Sequence, residues 1–309
     1  MKVVITGPTG AIGCALLEIC RQQHIEALAV CRKGSPRNRE LPKAPFIRAL
    51  ELDLCEYGQA AERLSDNYDV FFHLAWEGAG RKHRCDAEIQ EQNIRFSLDA
   101  VKLAAALGCH TFVGAGSQAE YGRFEGKLSE DTPVHPENAY GMAKLAAGGM
   151  TRILCEQLGI RHIWTRILSV YGPHDGEDTM IMTAIRDMLS RSPTRFTKGE
   201  QQWDYLYSED AARALLLLGQ RGKHGKVYPL GSGNTRTLKE YIEIIKNRID
   251  PNIRPGYGDI PYGRGQVMYL CADISALIRD TAMKPETSFE DGIEKTIEWV
   301  RKREEITGA

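Results

Sequence analysis

Three glycines mark the junction of the apolar run Lys2-Val3-Val4-Ile5-Thr6 with an apolar-periodic stretch over residues 12–23, within Thr6-Gly7-Pro8-Thr9-Gly10-Ala11-Ile12-Gly13. So short a strand-to-helix turn needs glycine where the chain takes positive φ, where backbone meets a pyrophosphate, and where helix packs closely on strand. The helix opening near Ile12 offers its amides and the positive end of its dipole to the same anion. The spacing predicts a dinucleotide-binding turn, with Thr6, Gly7, Thr9, Gly10, Ala11, Ile12 and Gly13 around the cofactor. A glycine-rich turn that binds nothing is the plainer alternative.

The chain then alternates β-rich runs with helical patterns. Strands are expected over 2–6, 26–31, 47–52, 70–74, 111–114 and 161–169, with Val227-Tyr228-Pro229-Leu230 resembling one more buried strand, and helices over 12–23, 58–65, 87–107 and 139–158. Such alternation is the mark of right-handed βαβ units and a parallel sheet covered on both faces. The fold class is α/β, a Rossmann-type doubly wound parallel sheet with a smaller C-terminal α/β substrate lobe. We place the dinucleotide-binding domain at 1–172 and the lobe at 173–309, interleaved, with the last sheet elements drawn from 203–231. Helices are expected near 179–191, 209–219, 237–248 and 288–303 in this second half.

With 40 basic and 41 acidic residues the chain has no global electrostatic case for nucleic acid or an anionic membrane as partner. Met1-Lys2 leads straight into a strand, without a signal-peptide pattern, and no apolar run approaches the roughly 20 residues of a membrane span. The eight cysteines form no Cys-x-x-Cys pair and the eight histidines show no metal-ligand spacing. A cytoplasmic protein with reduced thiols and no metal is expected.

The second strand ends Ala29-Val30-Cys31-Arg32-Lys33. A carboxylate here would take the ribose 2′-hydroxyl of NAD, whereas Arg32 suits the 2′-phosphate of NADP. NADP(H) is therefore favoured over NAD(H), unless Arg32 and Lys33 are only solvated loop charges. Asp53-Leu54, ending the third strand, is placed to meet the adenine, although Asp53 could equally cap the next helix. Further on stands the chain's one Tyr-x-x-x-Lys, Tyr140-Gly-Met-Ala-Lys144, on one face of a helix. A phenol is a poor acid or base at neutral pH until a neighbouring cation stabilises its phenolate. Lys144 supplies that charge and could also hold the nicotinamide ribose. Ser117, at the carboxyl edge of a strand ending Gly114-Ala115-Gly116-Ser117, could bond the reacting carbonyl, or merely its own turn.

These residues closely resemble the extended short-chain dehydrogenases/reductases, which include nucleotide-sugar epimerases, dehydratases and ketoreductases. The likeness covers nearly the whole chain: His73-Leu74-Ala75, Ser117-x-x-x-Tyr121-Gly122, Arg166 with Val170-Tyr171-Gly172-Pro173, Trp203-Asp204-Tyr205-Leu206-Tyr207-x-x-Asp210, Gly263-Arg264-Gly265 and Asp291-Gly292-Ile293. The resemblance implies catalytic roles for Ser117, Tyr140 and Lys144, adds Ala75 to the cofactor contacts, and implies a nucleotide-diphosphate sugar as substrate. It also implies a homodimer formed through the helices at 87–107 and 139–158.

Departures narrow the chemistry. Dehydratases of the family follow the serine position with Asp-Glu, where this chain has Gln118 and Ala119, which cannot eliminate water. Glu120, one residue out of register, is expected to point to the other face of a strand. Arg264 matches a diphosphate-binding arginine of the family, but Trp203 stands where many members place another. Arg195 or Lys198 are candidate replacements, unless Trp203 is simply core. The expected substrate contacts are Gln118, Trp203 and Arg264. What remains is NADPH-dependent reduction of a 4-keto(-6-deoxy) sugar, or NAD-dependent 4-epimerisation of a UDP-sugar. Reduction of a non-sugar carbonyl and dinucleotide binding without turnover are the lesser alternatives.

Overall fold

The computed structural model describes residues 1–64, 66–263 and 265–307. Its first half runs β1 (Lys2–Thr6), α1 (Ala11–Gln22), β2 (Glu26–Cys31), β3 (Ile47–Glu51), α2 (Tyr57–Ala61), β4 (Val70–His73), α3 (Ala87–Ala106), β5 (Thr111–Ser117), α4 (Ala139–Gln157) and β6 (Arg161–Ile167). The second half adds β7 (Ser169–Tyr171), α5 (Met180–Leu189), β8 (Arg195–Phe196), β9 (Gln202–Trp203), β10 (Tyr205–Tyr207), α6 (Ser208–Arg221) and β11 (Lys226–Leu230). It closes with β12 (Arg236–Thr237), α7 (Leu238–Ile249), β13 (Gly256–Tyr257), β14 (Tyr269–Leu270), α8 (Ser275–Thr281) and α9 (Phe289–Thr307).

Seven strands form one sheet in the order β3-β2-β1-β4-β5-β6-β11, every neighbouring pair parallel. Strand order reverses between β1 and β4, and in open α/β sheets ligands lie beyond the carboxyl ends at such a switch point. Thr6, His73 and Ser117, at the ends of β1, β4 and β5, are brought to that edge. Sheet residues are apolar on both faces because both are covered: Val3, Val4, Ile5, Phe71, Phe72 and Phe112 are fully buried. Leu16 and Leu17 of α1 and Leu215 of α6 close one side, and Ala100, Leu103 and Ala104 of α3 the other. Each fully buried leucine stabilises by about 1.5–3 kcal/mol relative to exposure. A third apolar cluster, with Ile185, Tyr241, Ile245, Phe289, Ile293 and Ile297, builds the lobe.

Three departures from the expected elements have local causes. The expected strand over 161–169 breaks at Leu168, whose N–H turns to Leu230 O at 2.9 Å. Beyond it, β7 leaves the sheet and pairs with β10. The helix expected over 58–65 is α2, which starts at Tyr57 and stops at Ala61, where the Glu62 and Arg63 N–H groups turn to Gln59 O and Ala60 O at 3.2 and 3.1 Å in i→i−3 bonds. Finally, β8, β9, β12, β13 and β14 are two residues each, too short to show a strand's alternation.

Candidate active site

The glycine turn is held from behind. Thr6 Oγ1 accepts the N–H groups of Leu74 and Ala75, both at 3.1 Å, and is hydrogen-bonded to His73 Nδ1. His73 Nε2 meets Ser97 Oγ at 3.3 Å. Burial, with help from the Lys144 charge, pushes the His73 pKa down to about 3, so the ring is a neutral brace. Gly7 has φ +67°, and a Cβ there would lie 2.8 Å from Ala75 N. A Cβ on Gly13 would lie 2.3 Å from Gly7 O. Helix α1 then opens on Gly10 with no side-chain cap, which leaves its first amides to a phosphate. A turn closed to side chains beneath an uncapped helix fits a dinucleotide, for which Thr6, Gly7, Thr9, Gly10, Ala11, Ile12 and Gly13 are the candidate contacts.

At the end of β2 the carboxylates are engaged. Glu51 accepts from Gly34 N and Asn38 Nδ2, Glu56 pairs with Lys33 Nζ at 2.5 Å, and Asp53 accepts from Lys33 N. Asp53 N–H also donates to Glu56 Oε2 at 2.9 Å, so Asp53 starts the 3-10 turn that carries Leu54. The Arg32 side chain is exposed and makes no hydrogen bond or ion pair among the described residues.

Tyr140 and Lys144 sit in the first turns of α4, which Asn138 caps by accepting the Gly141 N–H at 2.9 Å. Both side chains are buried, and the Ser117 hydroxyl lies close enough to the phenol to act on its ionisation. Burial raises the Tyr140 pKa, the Ser117 hydroxyl and the charge of Arg84 lower it, and Glu120 raises it. Lys144 does not face the phenol directly. Its Nζ donates to Ala115 O at 2.6 Å and lies 3.5 Å from the centroid of the Trp76 ring, against 5.8 Å from that of Tyr140. The Trp76 indole N–H is itself fixed on Gln90 Oε1 at 2.9 Å.

Burial lowers the Lys144 pKa from 10.5 to about 7, against the pull of Glu120. The unfolded chain therefore binds a proton at this site between about pH 7 and about pH 10.4 that the folded chain does not, and stability contributed here rises with pH across that window. Lys144→Met should accordingly melt higher than the wild type near neutral pH when ligand-free, with the gain shrinking toward pH 10. Thermal melts of both proteins across that range check this, and a gain that grows with pH would reverse the sign.

Glu120 departs from its expected position. It lies on a 3-10 turn, Gln118–Glu120, rather than on a strand, and its carboxylate is fully buried. The Ser117 N–H, the Trp164 indole and Arg166 Nε converge on it at 2.8, 3.1 and 2.8 Å. Burial pushes its pKa up and Arg166 opposes this. It thus fixes the turn that aims Ser117, and no feature of its spacing marks it.

Gln118 is half-buried on that turn beside Ser117. Trp203 belongs to the lobe, packs within its apolar clusters and donates its indole N–H to Ser169 Oγ at 2.7 Å. Arg195 donates to Asp259 O at 3.3 Å, and Lys198 is exposed. Arg264 lies outside the described residues. Sequence reasoning passed over Arg84 and Trp76, although the run Arg81-Lys82-His83-Arg84 follows β4 at the ligand edge.

The fold and the Ser117, Tyr140 and Lys144 site define an oxidoreductase or epimerase of the extended short-chain dehydrogenase/reductase type, dependent on a nicotinamide dinucleotide. The sequence profile of the NAD dependent epimerase/dehydratase family matches residues 3–231, and the chain belongs to that family. Among similar curated proteins, the dTDP-4-dehydro-6-deoxyglucose reductase of Escherichia coli is 25% identical over 97% of each chain. The dTDP-glucose 4,6-dehydratase of Salmonella typhimurium is 29% identical, over 97% of this chain and 92% of its own. The fold is shared with the UDP-glucose 4-epimerase of Thermotoga maritima in complex with UDP-glucose, at a TM-score of 0.86 and 22% identity over 98% of this chain and 99% of that one. Among the described residues no helix is long and apolar enough to cross a membrane.

Proposed function

We propose that the protein reduces the 4-keto group of a nucleotide-activated 4-keto-6-deoxy sugar with NADPH. The observation that carries the choice of cofactor is Arg32, unpartnered at the end of β2 while Glu51, Asp53 and Glu56 are all engaged. A guanidinium left free there suits a 2′-phosphate. The choice of reaction follows from Gln118 and Ala119, which offer no carboxyl group for elimination, and agrees with the likeness to the Escherichia coli reductase.

A bound nicotinamide supplies the hydride. Ser117 donates its hydroxyl to the sugar carbonyl, and Tyr140 gives its proton to that oxygen as negative charge develops there. Lys144 would hold the nicotinamide ribose, with Trp76 roofing its ammonium against water. The nucleotide end is expected to meet the lobe, where Gln118, Trp203 and Arg264 remain the proposed contacts and Lys198 an additional cation. The apolar residues Met142, Met150 and Ile153, exposed on α4, support the proposed homodimer through α3 and α4, which sedimentation equilibrium tests.

Arg32→Glu should weaken NADPH relative to NADH by about ten- to a hundredfold, the worth of one hydrogen bond to a charged group. Paired titrations of both cofactors measure it, and an unchanged ratio would remove Arg32 from the site. The family's dependence on NAD favours a second reading, a 4-epimerase of a UDP-sugar that retains its cofactor. Cofactor released from the purified protein by denaturation separates the two, because stoichiometric NAD would establish the epimerase. Thermal shifts with CDP, UDP, GDP and dTDP test the nucleotide-sugar assignment, and no stabilisation by any of them would favour a non-sugar carbonyl.

A further inference from the structure

Lys144 stands on the same helix as Tyr140, yet its ammonium is directed to Ala115 O and to the Trp76 face. With its pKa brought to about 7 by burial, it also carries only part of its charge at neutral pH. A different cation lies over the phenol. Arg84, on the loop between β4 and α3, places its Cζ 4.9 Å from the centroid of the Tyr140 ring.

That placement is fixed at two points. The Tyr140 N–H donates to Arg84 O at 2.9 Å, tying the loop to the start of α4, and Arg84 Nε donates to Ala79 O at 2.9 Å. The terminal guanidinium nitrogens have no partner among the described residues. Charged groups around the phenol are therefore Arg84 from this loop, Lys144 from α4 at 5.8 Å from the ring centroid and Glu120 from the turn after β5, with the Ser117 hydroxyl nearby and Trp76 as a neutral wall at 6.0 Å between ring centroids. Of the two cations, the guanidinium stays charged at every pH relevant to the protein.

We propose that Arg84 is a second cation, beside Lys144, that makes the Tyr140 phenol ionisable. Arg84 is thus a positioning residue that acts through Tyr140. The inference rests on Tyr140 as the proton carrier and on nothing assumed about the sugar or the choice between NAD and NADP. An opposite charge within 4–6 Å shifts a pKa by about 1–3 units, and the exposure of Arg84 puts its effect at the low end, about one unit.

Fluorine NMR of the full chain labelled with fluorotyrosine reads this without substrate. The Tyr140 signal is assigned by its loss in Tyr140→Phe and then titrated with pH. Arg84→Gln should move its midpoint up by about one unit. Arg84→Lys should recover most of that shift, and added salt should shrink the difference between wild type and Arg84→Gln. Equal midpoints in wild type and Arg84→Gln would overturn the proposal. Should Arg84→Gln fail to fold, the wild type decides: its Tyr140 midpoint must rise with ionic strength, and a constant one overturns the proposal equally. Because the readout needs no turnover, it separates a failure here from a failure of the sugar-reductase reading, which Tyr140→Phe kinetics tests.

Discussion

Tyr140→Phe is expected to lower turnover at least about a hundredfold, the lower end of what a positioned general acid contributes. The substitution removes one hydroxyl and leaves the ring, which stands edge-on to Trp76 beneath Arg84. Packing at the head of α4 should therefore survive, with melting temperature and dinucleotide affinity close to those of the wild type. The loss should fall on kcat, since the proton is delivered only as charge develops on the carbonyl oxygen. Steady-state rates with each cofactor, alongside a thermal melt, make the comparison. Near-normal turnover would defeat the assignment of Tyr140. Absence of turnover in the wild type with every keto sugar and UDP-sugar tried would instead point to a dinucleotide-binding protein without catalysis.

A second large effect is expected in stability rather than rate. Glu120→Ala strips the buried Arg166 of its partner and leaves the Trp164 indole and the Ser117 amide without an acceptor. Leaving one member of a buried ion pair alone costs about 3–5 kcal/mol. The side chains of Arg166 and Glu120 are only 8% and 0% exposed, so solvent can do little to compensate. Removing both charges in Glu120→Ala/Arg166→Met should recover much of the loss, because no uncompensated ion remains. Urea unfolding of wild type, single and double variants measures this, and a single variant within about 1 kcal/mol of wild type would show that the pair is not buried as described.

What the sequence made legible is what short-range geometry dictates. The glycine turn, the long helices α1, α3 and α4, and all seven parallel strands announce themselves through periodicity, β-rich runs and glycine spacing. Ser117, Tyr140 and Lys144 could be named because they sit at strand and helix ends with a defined spacing, and the structure brings Ser117 to the phenol. Illegible were contacts made by residues distant in the chain. Nothing local shows that Arg84 crosses to Tyr140, or that Glu120 gathers donors from Trp164 and Arg166, since each depends on how β4, β5 and β6 align. The lobe's two-residue strands and α8 were lost for the opposite reason: their sequences are too short for any pattern to repeat.

Arg37 draws the two halves of the molecule together at one nitrogen. Its Nη2 donates to Thr9 O in the phosphate turn at 2.5 Å and to His174 O, where the chain enters the lobe, at 2.8 Å. A hinge opening at this seam would have to break one of these bonds and leave a partly buried guanidinium short of an acceptor. The glycine turn after β1 and the first stretch of the lobe are thus tied through one side chain, so a shift of either is felt by the other.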